Sequence, residues 1–497
     1  MTLRVSILVL FLCSCAQQQF PEPPFNQKYD SLCQAMNDIA LYALEIHINK
    51  TPADFEQIRN ESSRIFAEKS GFKGELPSTE NCEDIEAVAS QHSDKTKITI
   101  YSTALAYFMQ GIDPHSVYVP QSRIEEVIKQ DKNIYFEAGF ETKYVHRAIK
   151  LSLPTDRLLI DYIYPGTPAY EKLKPEDEIE QINDVEVKEM SFFDLYKTIR
   201  EETERIKVKV ERVEDPFVFS KIEIKKPAVY SKGMKEQNYD YRWIRINRFN
   251  EGASKQFETE LMRANDWGSK GIIVDLRGNP GGLVEEGSNV LKMLITRPGE
   301  MFHTRGFSKQ NGYKNQIYKT NGKAVYKKPV VVLVDSETAS TAEIVTAVLQ
   351  SQSRALIVGD ETFGKASVQI TTPVPTINGF GGMMFTTVSM LYCANDISHQ
   401  IRGVQPDYSL KDPRIGEALE KLKTWKDPFI QHESEYANAI EPLNSDQVLP
   451  QNNLLSSIQA TGSNEDRELS GTCDDEIYQN CLQTHATRFL EIMVNRH

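Results

Sequence analysis

The chain has little histidine for its length, 9 in 497 residues, and no H-E-x-x-H pair. No two of its 7 cysteines stand at zinc-ligand spacing. These absences leave no sequence basis for a metal site. Neither a G-x-G-x-x-G turn nor a P-loop occurs, so no phosphate cradle is expected and no cofactor is implied. There is no excess of positive charge: 57 Lys and Arg face 70 Asp and Glu, a net charge of -13. That balance argues against a nucleic-acid partner, which selects a basic face. Past the first residues no apolar run is long enough for a membrane-spanning helix.

What is present begins with an export signature. "MTLRVSILVLFLCSC" has one early Arg and then an apolar run over Ser6 to Cys13. That run is too short to span a bilayer and fits a signal peptide over residues 1–15. "LCSC" (Leu12 to Cys15) resembles a bacterial lipobox and makes Cys15 the expected lipidation site. A plain signal peptide with an incidental Cys is the alternative. Ala16, rather than Asp, follows Cys15 and points to the outer membrane. The expected location is the periplasmic face, anchored to the membrane by an N-terminal lipid.

Export permits disulfides. Cys33 and Cys82 bracket a helical region, and Cys473 and Cys481 flank an acidic turn. Cys393 is then the odd one, expected to be buried and inert. Four paired cysteines allow three connectivities, and the sequence does not choose among them.

Along the chain, residues 16–130 read as a Pro-rich tether and a helical region, with apolar residues at spacings of three and four. Residues 131–213 switch to strands, with an Asn183-Asp184 hairpin and one helix, "FFDLYKTIREE". Residues 214–412 alternate strand and helix, the pattern of an α/β sheet with helical cover. Residues 413–497 read as a polar helical extension. At 497 residues more than one domain is expected.

"VVVLVDSETASTAEIVTAVLQ" (330 to 350) turns a buried strand into a helix through a knot of hydroxyls. Ser340 with Glu343 three residues on fits a capping box. It also fits a nucleophile at a helix start. Two more polar loops follow apolar strands: "DLRGNPGG" after Ile272 to Val274, and "ETFGKASVQ" after Ala355 to Val358. Strand ends on one edge of an α/β sheet are where ligands bind, so the three loops are expected to meet. Together they would supply backbone amides for an oxyanion, a hydroxyl, and a lone Lys that burial could keep neutral. Lys365 and Gln369 are four residues apart, about 13 Å along a straight strand, so contact between them requires a bend.

The set resembles the carboxyl-terminal processing (tail-specific) proteases, which are PDZ-containing Ser-Lys peptidases. "DPHSVYVP" (Asp113 to Pro120), "DLRGNPGG" (Asp275 to Gly282), "TASTAEI" (Thr338 to Ile344), "TFGKASVQ" (Thr362 to Gln369) and "SHQIRGVQPD" (Ser398 to Asp407) follow the family's order. The resemblance covers roughly residues 100 to 410. It implies an α/β protein with a crotonase/Clp-protease-like core, an inserted PDZ domain, a helical N-terminal region and a helical C-terminal extension. It makes Ser340 the nucleophile, Lys365 the general base and Gln369 its orienting partner. The amide of Thr341, with one from Gly281 or Gly282, becomes the oxyanion site. Asp275 and Arg277 are expected to pin the strand end rather than react.

Within "IYFEAGFET" (Ile134 to Thr142), the resemblance gives Ala138, Gly139 and Phe140 the capture of a peptide C-terminus. "LKPEDEIEQIND" carries Glu176 and Asp184 where the family has glycines. Thr341 stands for the usual Ala, and Ala366 for a Gly. His303 and His399 are the alternative bases, with no motif to place either beside Ser340.

The expected function is an envelope serine endopeptidase that recognises protein C-termini and cleaves through an acyl-enzyme. The alternative is a non-catalytic PDZ lipoprotein scaffold that binds such termini. Protein or peptide substrates, an adaptor and a second copy of the chain are the expected partners.

Overall fold

The computed structural model describes residues 29–92, 97–145, 157–190, 198–199, 204–236, 239–306, 315–377, 379–409, 432–442, 486–491 and 493–494. Cys15, the tether before Tyr29, the Cys473/Cys481 pair and most of the "FFDLYKTIREE" helix lie outside the described residues.

Four helices open the chain: α1 (Leu32–Ile46), α2 (Phe55–Ser70), α3 (Glu83–Ser90) and α4 (Lys97–Ile112). Ser31 caps α1 through its hydroxyl, and Gly71 ends α2 in the left-handed region at φ 75°. A Cys33–Cys82 disulfide ties α1 to the turn before α3. Cys393 is unpaired and buried, and burial pushes its thiol up to about 12, as an inert thiol requires. The helices bury one shared core with Ile370, Met384 and Val388 of the strands that follow. The chain then enters β1 (Val117–Pro120), runs through α5 (Ile124–Asp131), and reaches the second region.

That region is a small antiparallel sheet. A ribbon of β2 (Ile134–Glu137) and β9 (Ile222–Lys225) forms its stem. Between them lie β3 (Phe140–Val145), β4 (Arg157–Ile163), β5 (Glu178–Ile182), β6 (Val185–Glu186), β7 (Arg205–Val210) and β8 (Phe217–Ser220). The order is β3-β4-β5-β7-β8, with β6 beside β5. The sheet thus runs past the expected edge at residue 213 to Ser220. Asn183 and Asp184 both have positive φ and close the β5–β6 hairpin, the conformation a two-residue turn between twisted strands needs. Glu176 and Asp184, at φ 69° and 67°, adopt the left-handed backbone despite not being glycine.

The core follows as β10 (Val229–Glu236), β11 (Tyr239–Ile246), α6 (Ala253–Asp266), β12 (Gly271–Asp275), α7 (Val284–Leu294), β13 (Gly299–Arg305), β14 (Ile317–Thr320), β15 (Val330–Val334), α8 (Thr341–Ser351), β16 (Leu356–Gly359), β17 (Ser367–Ile377), β18 (Phe380–Cys393) and β19 (Tyr408–Ser409). One sheet has the order β10-β11-β12-β15-β16-β19, parallel from β11 onward. A second is built on β18, which pairs with β1, β13 and β17.

Strand periodicity decides what each face meets. Val330, Val332 and Val334 face α6, α7, α8 and the second sheet. Val331 and Leu333 face the other way, where Phe489 and Leu490 of the stretch 486–494 cover them. Residues 341 to 350 of α8 are all buried, as suits a helix set between two sheets. In the C-terminal extension, 432–442 holds one 3₁₀ turn (Glu433–Glu435) in an otherwise non-helical run.

Candidate active site

The three polar loops meet at the carboxyl ends of β12, β15 and β16. Thr338 Oγ1 donates to Leu276 O (3.0 Å), and the Ala339 amide donates to Asn279 O (2.9 Å). Thr341 Oγ1 donates to Gly282 O (2.7 Å). The third loop joins through the Phe363 amide, which donates to Thr338 O (3.0 Å). The "SHQIRGVQPD" stretch backs it: the Val404 amide reaches Thr362 Oγ1 (2.7 Å), and the Ile401 amide reaches Gly364 O (2.7 Å).

Ser340 sits at the start of α8 with φ 56° and ψ -117°. An L-residue there stores about 1–3 kcal/mol of backbone strain. Its own amide donates to Glu343 Oε2 (2.7 Å), so the capping-box partner is in place. Capping and a reactive position are therefore compatible in this turn.

Glu343 does more than cap. It is fully buried and accepts four hydrogen bonds. Thr362 Oγ1 (2.6 Å) and the Gly364 amide (2.7 Å) reach Oε1, while the Ser340 amide and the Lys365 amide (2.8 Å) reach Oε2. Ser340 and Lys365 are thus held on a single oxygen atom. Burial pushes the Glu343 carboxyl up to about 8, against the pull of those four donors.

Lys365 is 2% exposed. Its Nζ donates to Ser367 O (2.8 Å) and to Gln369 Oε1 (3.0 Å). The bend that this contact requires is visible. Lys365 lies just before β17, and the pairing of β17 with β18 slips between Val368 and Gln369. A bulge of this kind re-aims a side chain. Gly364 supplies the other half of the turn at φ 96°, where an added Cβ would press on the Ile401 backbone at 3.0 Å. Ala366 needs no positive φ, so its replacement of a glycine costs the loop nothing.

The Gly-rich loop corrects one oxyanion candidate. The Gly281 amide donates to Asn279 Oδ1 (2.8 Å) and is not offered to the site. Among the described residues no hydrogen bond engages the Gly282 or Thr341 amide. The bulk of Thr341 is absorbed opposite Gly287, whose missing Cβ would lie 2.5 Å from Thr341 Cγ2.

Asp275 and Arg277 pin the strand end. Burial works to raise the Asp275 carboxyl, but the Arg277 and Arg245 guanidiniums hold it down at about 2. Arg277 donates to it from both Nε (2.9 Å) and a terminal nitrogen (2.6 Å).

Neither alternative histidine is placed as a partner of Ser340. His399 Nε2 bonds to Lys365 O (2.9 Å), and burial lowers the ring to about 4, which keeps it neutral. His303 contacts Glu300 and Asp396.

Two groups were not legible as site residues. Asp113, in "DPHS", lies fully buried behind Gln369. Glu433, in the extension, is fully buried against the Lys365 loop. It accepts from Gln400 Nε2 (2.7 Å), pairs with His115 Nε2 (2.6 Å), and its amide donates to Phe363 O (3.1 Å). Gln400 Oε1 in turn accepts the Ala366 amide (2.6 Å). The "DPHS" spacing could have flagged Asp113; nothing in the sequence singles out Glu433.

In the small sheet, Ala138, Gly139 and Phe140 form the turn from β2 into β3. Gly139 has φ 97°, and its carbonyl accepts from the Tyr164 amide (2.9 Å). Thr167 fills the space of its missing Cβ at 2.3 Å. Beyond β4, no described strand pairs with β3, so one of its edges is open among the described residues.

Residues 240–410 match Peptidase family S41. The carboxy-terminal processing protease CtpA of Bacillus subtilis (strain 168) is 27% identical over 374 residues, which cover 73% of this chain and 76% of that protein. The carboxyl-terminal-processing protease of Synechocystis sp. is 26% identical over 295 residues, 58% of this chain and 67% of that protein. Among solved structures, the photosystem II D1 C-terminal processing protease aligns with 73% of this chain and 95% of its own, at 19% identity and a TM-score of 0.40. The chain is a serine-type peptidase, and its residues 240–410 are similar to family S41. The relatives that align beyond that region are named carboxy-terminal processing proteases.

Proposed function

We propose that this peptidase cleaves by a Ser-Lys mechanism. The observation that carries it is the setting of one amine: Lys365 Nζ, buried, against Ser367 O and Gln369 Oε1, with its backbone on the same Glu343 oxygen as Ser340. A neutral amine has two hydrogens for those two acceptors and a lone pair for the Ser340 proton. Ser340 Oγ attacks the peptide carbonyl as Lys365 takes its proton. The oxyanion forms against the Gly282 and Thr341 amides. Lys365 returns the proton to the leaving amine, and water, activated by the same amine, releases the acyl group.

In this reading the core is of the crotonase/Clp-protease type, and the small sheet is a PDZ domain. A substrate tail adds as a strand on the open edge of β3, its carboxylate held by the turn at Ala138, Gly139 and Phe140. Apolar protein tails are the substrate class. Cys15 carries a lipid that holds the enzyme on the periplasmic face of the outer membrane, where an adaptor or a second copy of the chain is a further partner.

The test is cleavage of casein and of an apolar-tailed peptide by wild type, Ser340→Ala and Lys365→Ala. Both variants are expected to lose at least about 10⁴-fold in kcat while still binding the tail. Equal cleavage by all three would discard the mechanism. Tail binding by a wild type that never cleaves would leave a scaffold.

A further inference from the structure

Behind the Lys365 amine runs a buried chain of side chains that the cleavage steps do not use. Gln369 Nε2 donates to Thr387 Oγ1 (2.9 Å), and Thr387 Oγ1 donates to Asp113 Oδ1 (3.1 Å). Gln369 and Lys365 are 4% and 2% exposed; Thr387 and Asp113 are fully buried. The chain joins β17, β18 and the turn that leaves α4.

Every group around Asp113 donates to it. The His115 amide (2.8 Å) and the Ser116 amide (3.0 Å) reach Oδ1, and the Ser116 hydroxyl reaches Oδ2. His47 Nε2 also reaches Oδ2 (3.0 Å). His47 Nδ1 accepts the Asn49 and Lys50 amides (3.2 and 2.9 Å), so the ring hydrogen is on Nε2 and points at Asp113. Asp113 is therefore an acceptor only. Burial works to raise its carboxyl, but these bonds hold it well below the usual carboxylate range.

An acceptor at one end fixes the sense of the whole chain. The Thr387 hydroxyl has one hydrogen, and Asp113 takes it. The Thr387 oxygen must then accept, and only the amide nitrogen of Gln369 can donate to it. The other end of that amide, Oε1, is left facing Lys365 Nζ. A Gln turned the other way would set N–H against the amine hydrogens. The two orientations have nearly the same shape, so packing alone does not choose between them.

We infer that Asp113 and Thr387 are positioning residues of the hydrolysis: they fix the orientation of the Gln369 amide so that it offers oxygen, not N–H, to the Lys365 amine. The inference rests on the Ser-Lys reading above. It also gives the N-terminal helical region a part in the chemistry, because His47 and Asp113 belong to it and touch neither substrate nor nucleophile.

The test compares Thr387→Val, Thr387→Ser, Asp113→Ala, Gln369→Ala and the Thr387→Val/Gln369→Ala double variant in the full chain. Val keeps the shape of Thr and removes the hydroxyl. Ala at 113 removes the acceptor, so the Thr387 hydroxyl can turn and donate to Gln369, which frees the amide to turn over. Thr387→Val and Asp113→Ala are expected to lower kcat about 10- to 100-fold with KM for a tailed peptide nearly unchanged. Thr387→Ser restores kcat. The double variant is expected to be no slower than Gln369→Ala alone, because both act through one amide. A merely structural role would instead lower Tm and multiply the two losses.

Wild-type kcat in Thr387→Val, or independent multiplication in the double variant, overturns the inference. Lys365→Ala separates the two levels. If it is inactive while Thr387→Val is unaffected, only the positioning role fails. If it cleaves as wild type, the Ser-Lys reading fails and takes the positioning role with it.

Discussion

The core loops and the small sheet handle their backbone polar groups in opposite ways. In the core, each loop around Ser340 is tied to the next by named bonds, and a single buried carboxylate, Glu343, collects four of them. In the small sheet, β3 leaves one edge open among the described residues, and the Gly139 carbonyl is held by the Tyr164 amide and the Thr167 hydroxyl. A closed network fixes geometry and tolerates little change. An open edge accepts any extended backbone and tolerates much. On the proposed function, bond making in the core and tail selection at the open edge are therefore expected to fail independently when each region is altered.

The largest break falls on the core. Glu343→Gln replaces one acceptor oxygen by a donor that faces backbone N–H groups it cannot pair. A loss of about 10²-fold or more in kcat is expected, with tail binding intact by titration calorimetry. Equal loss of binding would show that the two regions are not separable.

A second effect is on stability. Asp275 has a folded value of about 2, below that of an unfolded carboxyl. Between about 2 and about 4 the unfolded chain binds more protons, so stability falls as the pH drops through that window. Roughly 2 kcal/mol of core stability is at stake for this buried group. Thermal unfolding of wild type against Asp275→Asn measures it: the variant should lack this part of the acid dependence.

The smallest effect is on the open edge. Gly139→Ala puts a Cβ 2.3 Å from the Thr167 side chain and forces a residue with φ 97° into strain. KM for a tailed peptide is expected to rise by about tenfold, near 1.4 kcal/mol, with kcat unchanged. A fall in kcat would mean that the sheet also governs the core.

Much of this was legible in the sequence. Continuous apolar runs followed by polar turns mark β12, β15 and β16 in the sequence, and with them the meeting of three loops. The spacing of Ser340 and Glu343 fits a cap as well as a nucleophile, and the Glu343 bond to the Ser340 amide is there. What the spacing could not carry is that Glu343 also reaches across to Gly364 and Lys365. Such a contact depends on how α8 is seated against a loop some twenty residues away. The Lys365–Gln369 contact requires a bend, as the spacing says, but the bulge after Val368 that supplies it has no sequence mark. Gly281 looked as good an amide donor as Gly282, because only the fold shows that Asn279 takes one of them. The Asn183-Asp184 hairpin was readable because its constraint is local.

The stretch 432–442 has a consequence for how the protein matures. Every family motif lies upstream of it, yet Glu433 is what satisfies Gln400 Nε2, His115 Nε2 and Phe363 O beneath the lysine turn. A polypeptide halted before that point would hold a full set of reacting groups without the carboxylate that ties Gln400, His115 and Phe363 together beneath the lysine turn. Such a copy is expected to cleave poorly until the distal segment has packed into place.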